Sequence, residues 1–203
     1  MTTMGGCKLY NCPIDDAGFA PTYGAGDISI TGGKLAAPLV LSFNADGGSY
    51  STPLSTAPFA AGDTLNVSAA GGDVGAFTGT TGPGPADLTL TAPTGTGTPG
   101  FQSYAIDTTK DLTVTWTGGA AGTQVVVSLS NVDDENTNLE LQCSFDAAGG
   151  SATIPTTLLA QLGNPTTGGL QVTPISVSTT SGSNAKVALQ LVAKGVTGSW
   201  SKQ

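Results

Sequence analysis

Residues 111–117 read DLTVTWT and residues 138–145 read NLELQCSF. In the first, Leu112, Val114 and Trp116 alternate with Thr113, Thr115 and Thr117. In the second, Leu139, Leu141, Cys143 and Phe145 alternate with Glu140, Gln142 and Ser144. A side-chain period of two places one set on a buried face and the other in water, the pattern of a half-buried strand. Threonine and valine also suit the pleated backbone.

The same period recurs outward from these two runs. DISIT offers Ile28 and Ile30, DTLNVSA offers Leu65 and Val67, ADLTLTA offers Leu88 and Leu90, and AKVALQLVA offers Val187, Leu189 and Leu191. Between them stand Gly32-Gly33, Asp46-Gly47-Gly48, Gly71-Gly72, Gly118-Gly119, Gly149-Gly150 and Gly168-Gly169. Such clusters supply the backbone conformations of tight turns. Short strands, on the order of ten, at this spacing predict an all-β chain folded as an antiparallel β-sandwich. One stretch departs from the period. IPTTLLAQLG carries Leu158, Leu159 and Leu162 at helical spacing, with Pro155 at the start and Gly163 at the stop, and predicts one short helix near 155–163.

Residues 92–100, APTGTGTPG, carry no large apolar side chain and predict a boundary. The expected organisation is an extended lead-in over 1–22, an N-terminal β half over 23–97 and a C-terminal half over 98–203, the two halves forming either separate domains or one.

Composition narrows the function. Charged residues make up 10% of the chain, against about 25% in ordinary globular proteins. Six lysines, no arginine and no histidine face fourteen carboxylates, a net charge of −8. Phosphate contacts need cations in number, so nucleic acid is an unexpected partner. No stretch reaches the ~18 apolar residues of a membrane-spanning helix. The lack of histidine removes His-dependent triads and His–metal sites. Gly95–Gly100 matches the letters of a dinucleotide fingerprint, but Pro99 and FQSYAID follow where a helix is required. Ser183–Lys186 matches S-x-x-K, yet it runs into a strand, where positions three apart face opposite ways. Neither motif nominates a catalytic group, so a non-enzyme is expected.

The one concentration of oxygen ligands is VDDENTNLE. Asp134, Asn136, Asn138 and Glu140 occupy alternate positions, which on a tight loop can converge on a calcium ion, although Leu139 stands where such loops place glycine. The alternative is a solvated hairpin tip. Trp116 reads as core. Trp200, Tyr10, Tyr23, Tyr50 and Tyr104 are too scattered for their spacing to define a sugar-stacking platform.

Three cysteines leave an odd count. Cys7 with Cys12, Cys12 with Cys143, and three free thiols all remain open. The stretch Met4-Gly5-Gly6-Cys7 is similar to the end of a lipobox, in which small residues precede an acylated cysteine. With Cys7 as a lipid anchor, the count resolves to a Cys12–Cys143 disulfide, and this arrangement is the one expected.

Three strings, FAAGDTLNVSAAGGDVGAF, DLTVTWTGG and LQCSFDAAGGSATIPTTLLAQL, resemble exported Ig-like β-sandwich lipoproteins of myxobacterial type. The likeness runs from about Tyr23 to Ala193. It implies an Ig-like C-terminal half and a place at the cell surface or beyond it, and it implies no activity. The expected function is a non-catalytic structural or interaction protein of the envelope, self-associating through edge strands. The alternative is an extracellular glycan- or ligand-binding module, assisted by calcium.

Overall fold

A computed structural model describes residues 2–4, 6–13, 22–98, 100–132, 137–163 and 168–203. The described strands are β1 (Thr2–Met4), β2 (Cys7–Pro13), β3 (Ile28–Gly32), β4 (Leu39–Leu41), β5 (Leu65–Ala69), β6 (Phe77–Thr80), β7 (Leu88–Ala92) and β8 (Thr96–Thr98). They continue with β9 (Phe101–Ile106), β10 (Leu112–Gly118), β11 (Gln124–Val132), β12 (Thr137–Asp146), β13 (Ser151–Ile154), β14 (Gly168–Ser181), β15 (Lys186–Val192) and β16 (Val196–Lys202). One short helix, α1 (Thr156–Leu159), follows β13 and tightens into a 3-10 turn over Ala160–Leu162. The chain is an all-β, sandwich-like fold with antiparallel sheets, in which β9 and β16 run parallel.

Two compact units divide the chain. The larger is built from residues 1–17, 86–174 and 193–203. Its main sheet runs in the order β1, β2, β12, β11, β14, β16, β9, β8, and a three-stranded sheet has the order β13, β10, β7. Both sheets feed one core. β10 contributes Leu112, Val114 and Trp116, β11 contributes Val125, Val127 and Leu129, and β12 contributes Leu141 and Cys143. Burial of alternate apolar side chains is the main driving force for these layers, each Leu or Val contributing about 1.5–3 kcal/mol. The two tryptophans are buried without losing their hydrogen bonds: Trp116 Nε1 donates to the Ala147 carbonyl at 2.9 Å and Trp200 Nε1 to the Ser130 carbonyl at 2.9 Å.

The helix forms where its sequence signals stand. Pro155, extended at φ −65° and ψ 140°, precedes the first turn, and Gly163 ends the element at φ +71°. Leu158, Leu159 and Leu162 are fully buried. Pro155 offers no capping side chain; instead Asp111, just ahead of β10, accepts from the Thr156 backbone N–H at 2.8 Å and the Thr156 hydroxyl at 2.6 Å.

The smaller unit comprises residues 18–85 and 175–192. Its sheet has the order β4, β3, β5, β6. Its core gathers Ala25, Ala69, Phe77 and Leu189, with Ile28, Val67, Val74 and Val187 packed on them. Leu189 and Val187 come from the hairpin of β14 and β15, which is remote in sequence from the other six residues. β14 belongs to the larger unit as far as Pro174 and to the smaller from Ile175.

Three expectations are corrected. Residues 1–22 are not simply a lead-in: β2 pairs with β12 over seven positions and adds Cys7 and Leu9 to the core. The division falls at Ala86 rather than at 97/98. Residues 92–100 lack large apolar side chains because β8 is an exposed outer strand, joined to β9 through a turn in which Gly100 takes φ +88°. The disulfide is Cys7–Cys143, not Cys12–Cys143. Register decides the pairing: Cys7 lies directly opposite Cys143, whereas Cys12 lies opposite Asn138. With its sulfur bonded to Cys143, Cys7 has no thiol left for a thioether lipid anchor.

Candidate functional site

The main sheet of the larger unit turns one face to the core, and the other carries short polar side chains. Strand alternation fixes this. Leu141 and Cys143 of β12 point inward, so Glu140 and Gln142 face outward; Val127 and Leu129 of β11 point inward, so Ser128 and Ser130 face outward. On β14, Leu170 and Val172 are buried and Gly169 and Gln171 are exposed. On β16, Thr197 is exposed and Trp200 buried. Across these four neighbouring strands a shallow groove of about 340 Å³ is lined by Ser128, Ser130, Glu140, Gly169, Gln171 and Thr197.

Register sets the rows of the groove. Glu140 is flanked by Ser130 on one side and Tyr10 on the other. The Ser130 hydroxyl donates to the Gly169 carbonyl at 3.5 Å, and Gly169 pairs with Ser199. The two adjacent glycines at the start of β14 have different causes. A Cβ on Gly168 would collide with the Trp200 indole and the Ser130 carbonyl, so packing requires that glycine. Among the described residues, a Cβ on Gly169 would meet only the Ser130 Oγ, at 2.7 Å, the free end of a rotatable side chain. Gly169 is therefore spare as far as packing goes, and it forms the floor of the groove.

A second groove, of about 270 Å³, lies on the four-stranded sheet of the smaller unit. Ser29, Thr31, Asn66, Ser68, Thr78 and Thr80 line it. Asn66 Oδ1 is already engaged by the Thr80 hydroxyl at 3.0 Å. Its glycine, Gly79, is explained by packing, since a Cβ there would press on Thr180 and Leu189.

Of the four oxygen ligands predicted for calcium, Asp134 and Asn136 lie outside the described residues. Asn138 and Glu140 are both on β12, and Glu140 lines the larger groove. Among the described residues no three His, Cys, Asp or Glu side chains gather closely enough to hold a metal. The S-x-x-K segment is the turn between β14 and β15, where the Gly182 N–H bonds the Ala185 carbonyl and Ser181 pairs with Lys186. Trp116, Trp200 and Tyr104 are all core residues, so none is available to a surface platform.

Burial raises the pKa of the Tyr104 phenol. The Asp107 carboxyl is lowered to about 2, first by the Thr109 hydroxyl, then by the Lys110 ammonium and the Thr109 N–H. Asp111 is lowered by the Thr156 hydroxyl and N–H. These carboxylates serve the loop before β10 and the cap of α1, not a cleft. The site and fold together define a disulfide-locked, all-β protein with polar sheet-face grooves. No family model, curated protein or solved structure matches this chain.

Proposed function

We propose that this chain is a non-catalytic structural or interaction protein of the cell envelope or the extracellular space, and that its copies associate through β15. The observation that carries this reading is the free edge of that strand. β15 spans seven residues and, among the described residues, pairs only with β14. The outermost strands of the other sheet edges, β1, β8, β4, β6, β13 and β7, are three to five residues long. Short edge strands resist intermolecular pairing, whereas a long one offers a row of unpaired N–H and C=O groups. β15 also carries exposed Val192, and exposed Val177 stands on the partner strand β14.

A location outside the cytoplasm is supported by the disulfide, since such bonds persist in oxidising compartments. The resemblance to Ig-like exported lipoproteins points the same way. No helix among the described residues is long and apolar enough to cross a membrane. Light scattering of the oxidised protein from micromolar to millimolar concentration tests the reading. The expected result is a mass that climbs with concentration and returns to that of the monomer in the double variant Ala188→Lys/Gln190→Lys, which puts charge on the edge. A wild-type protein that stays monomeric throughout would refute association through β15.

A further inference from the structure

We infer that the groove over Gly169 binds a neutral oligosaccharide chain. The inference goes beyond the proposed association, because it uses the outward face of strands in the larger unit rather than the edge of β15 in the smaller.

The first argument is the floor. A glycine inside a strand costs stability and commonly marks a place where a ligand approaches the backbone closely. Gly168 is accounted for by Trp200; among the described residues, only the Ser130 hydroxyl lies in the space a Gly169 side chain would fill, so packing against them does not account for Gly169. The second argument is the lining. Ser128, Ser130 and Thr197 both donate and accept, Gln171 does both through its amide, and Glu140 accepts. That set complements vicinal hydroxyls, which also donate and accept. The third is charge. Among the described residues the lining holds one carboxylate and no cation, on a chain of net charge −8, so a polyanion is repelled. The fourth is shape. The groove crosses β12, β11, β14 and β16 rather than closing around a single group, and its strand interval of ~4.8 Å is close to the repeat of an extended pyranose chain. Half-buried Tyr10, opposite Glu140 on the adjoining strand, stands where its ring can extend the contact beyond the groove.

The test uses the intact oxidised protein and a panel of neutral hexasaccharides: β-1,4-glucan, α-1,4-glucan, chitin and mannan. Alginate fragments of equal length serve as the anionic control, and titration calorimetry gives the readout. At least one neutral hexasaccharide should bind, and alginate should not. Gly169→Val, which fills the floor, should abolish binding with the melting temperature held. Gln171→Ala and Glu140→Gln, both outside the core, should each weaken it about two- to tenfold, the range of one net hydrogen bond. If Gly169→Val fails to fold, the other two variants carry the test. Failure of every neutral hexasaccharide to bind, tighter binding of alginate, or affinity unchanged in the soluble variants overturns the inference. Because Ala188→Lys/Gln190→Lys leaves the groove intact, loss of self-association in that variant with binding retained separates the two proposals.

Discussion

Hydroxyl groups perform at single positions of this chain the work that cations perform in more highly charged proteins. Asp107 is held by the Thr109 hydroxyl at 2.5 Å, with Lys110 at 2.9 Å as a second partner, and Asp111 is held by Thr156 alone. Both carboxyls are thereby lowered below their ordinary value, Asp107 to about 2. A depressed carboxyl contributes stability that is complete above its unfolded pKa and disappears as pH falls through the folded one. Thermal unfolding should therefore give a constant midpoint down to about pH 4 and a falling one below it. Asp107→Asn/Asp111→Asn should start lower at neutral pH and show a shallower acid decline. An unchanged acid decline in the double variant would show that other groups control it. The partners of Asp107 are its near neighbours Thr109 and Lys110, whereas the partner of Asp111 was not legible in the sequence, because Thr156 lies far along the chain from it. Trp116 was legible as core, since its own strand states which face it shares.

At the scale of elements, period two carried the reading wherever a strand repeats it several times. β10, β12, β5, β7 and β15 fall where alternation predicts them, and α1 falls between its proline and its glycine. The reading failed at β2. Over Cys7–Asn11, Cys7 and Leu9 are the buried positions, and two residues make too short a pattern to separate from an extended lead-in. Only the partner strand reveals the register, and the register reveals the disulfide. That bond joins positions 136 residues apart. Closing so long a loop restricts the unfolded chain by an amount worth about 5 kcal/mol in the chain-entropy account. Cys7→Ser and Cys143→Ser should each lower stability by up to about that much in denaturant titrations, and dithiothreitol should have no further effect on either. Cys12→Ser should leave stability unchanged and keep a mass two hydrogen atoms short of the reduced form. A large loss in Cys12→Ser, with Cys7→Ser neutral, would restore the pairing expected from the sequence.

At the scale of the whole molecule, the chain completes each core with residues that lie far away in sequence. The larger unit takes strands from both ends and the middle, and the smaller takes 18–85 together with 175–192. No local composition could signal this, because a glycine- and threonine-rich loop looks the same whether the chain leaves a domain or returns to it. The groove shares the difficulty: Glu140, Gly169 and Thr197 come together only through strand order, and Gly169 differs from Gly168 only in what a Cβ would meet. The interleaving has a direct consequence. Residues 23–97, which the sequence presents as an independent half, lack Leu189 and Val187, the side chains that the hairpin of β14 and β15 adds to the smaller core. Removing them exposes Phe77, Ala69 and Val67, and each large apolar side chain left uncovered forfeits about 1.5–3 kcal/mol. A domain normally has only 5–15 kcal/mol in hand. The 23–97 fragment should therefore lack cooperative unfolding and dispersed amide resonances. A fragment of residues 18–85 joined by a flexible linker to 175–192 should recover both. Cooperative folding of 23–97 alone would mean that the hairpin is dispensable to that core, and the division of the chain would then follow the order of its sequence.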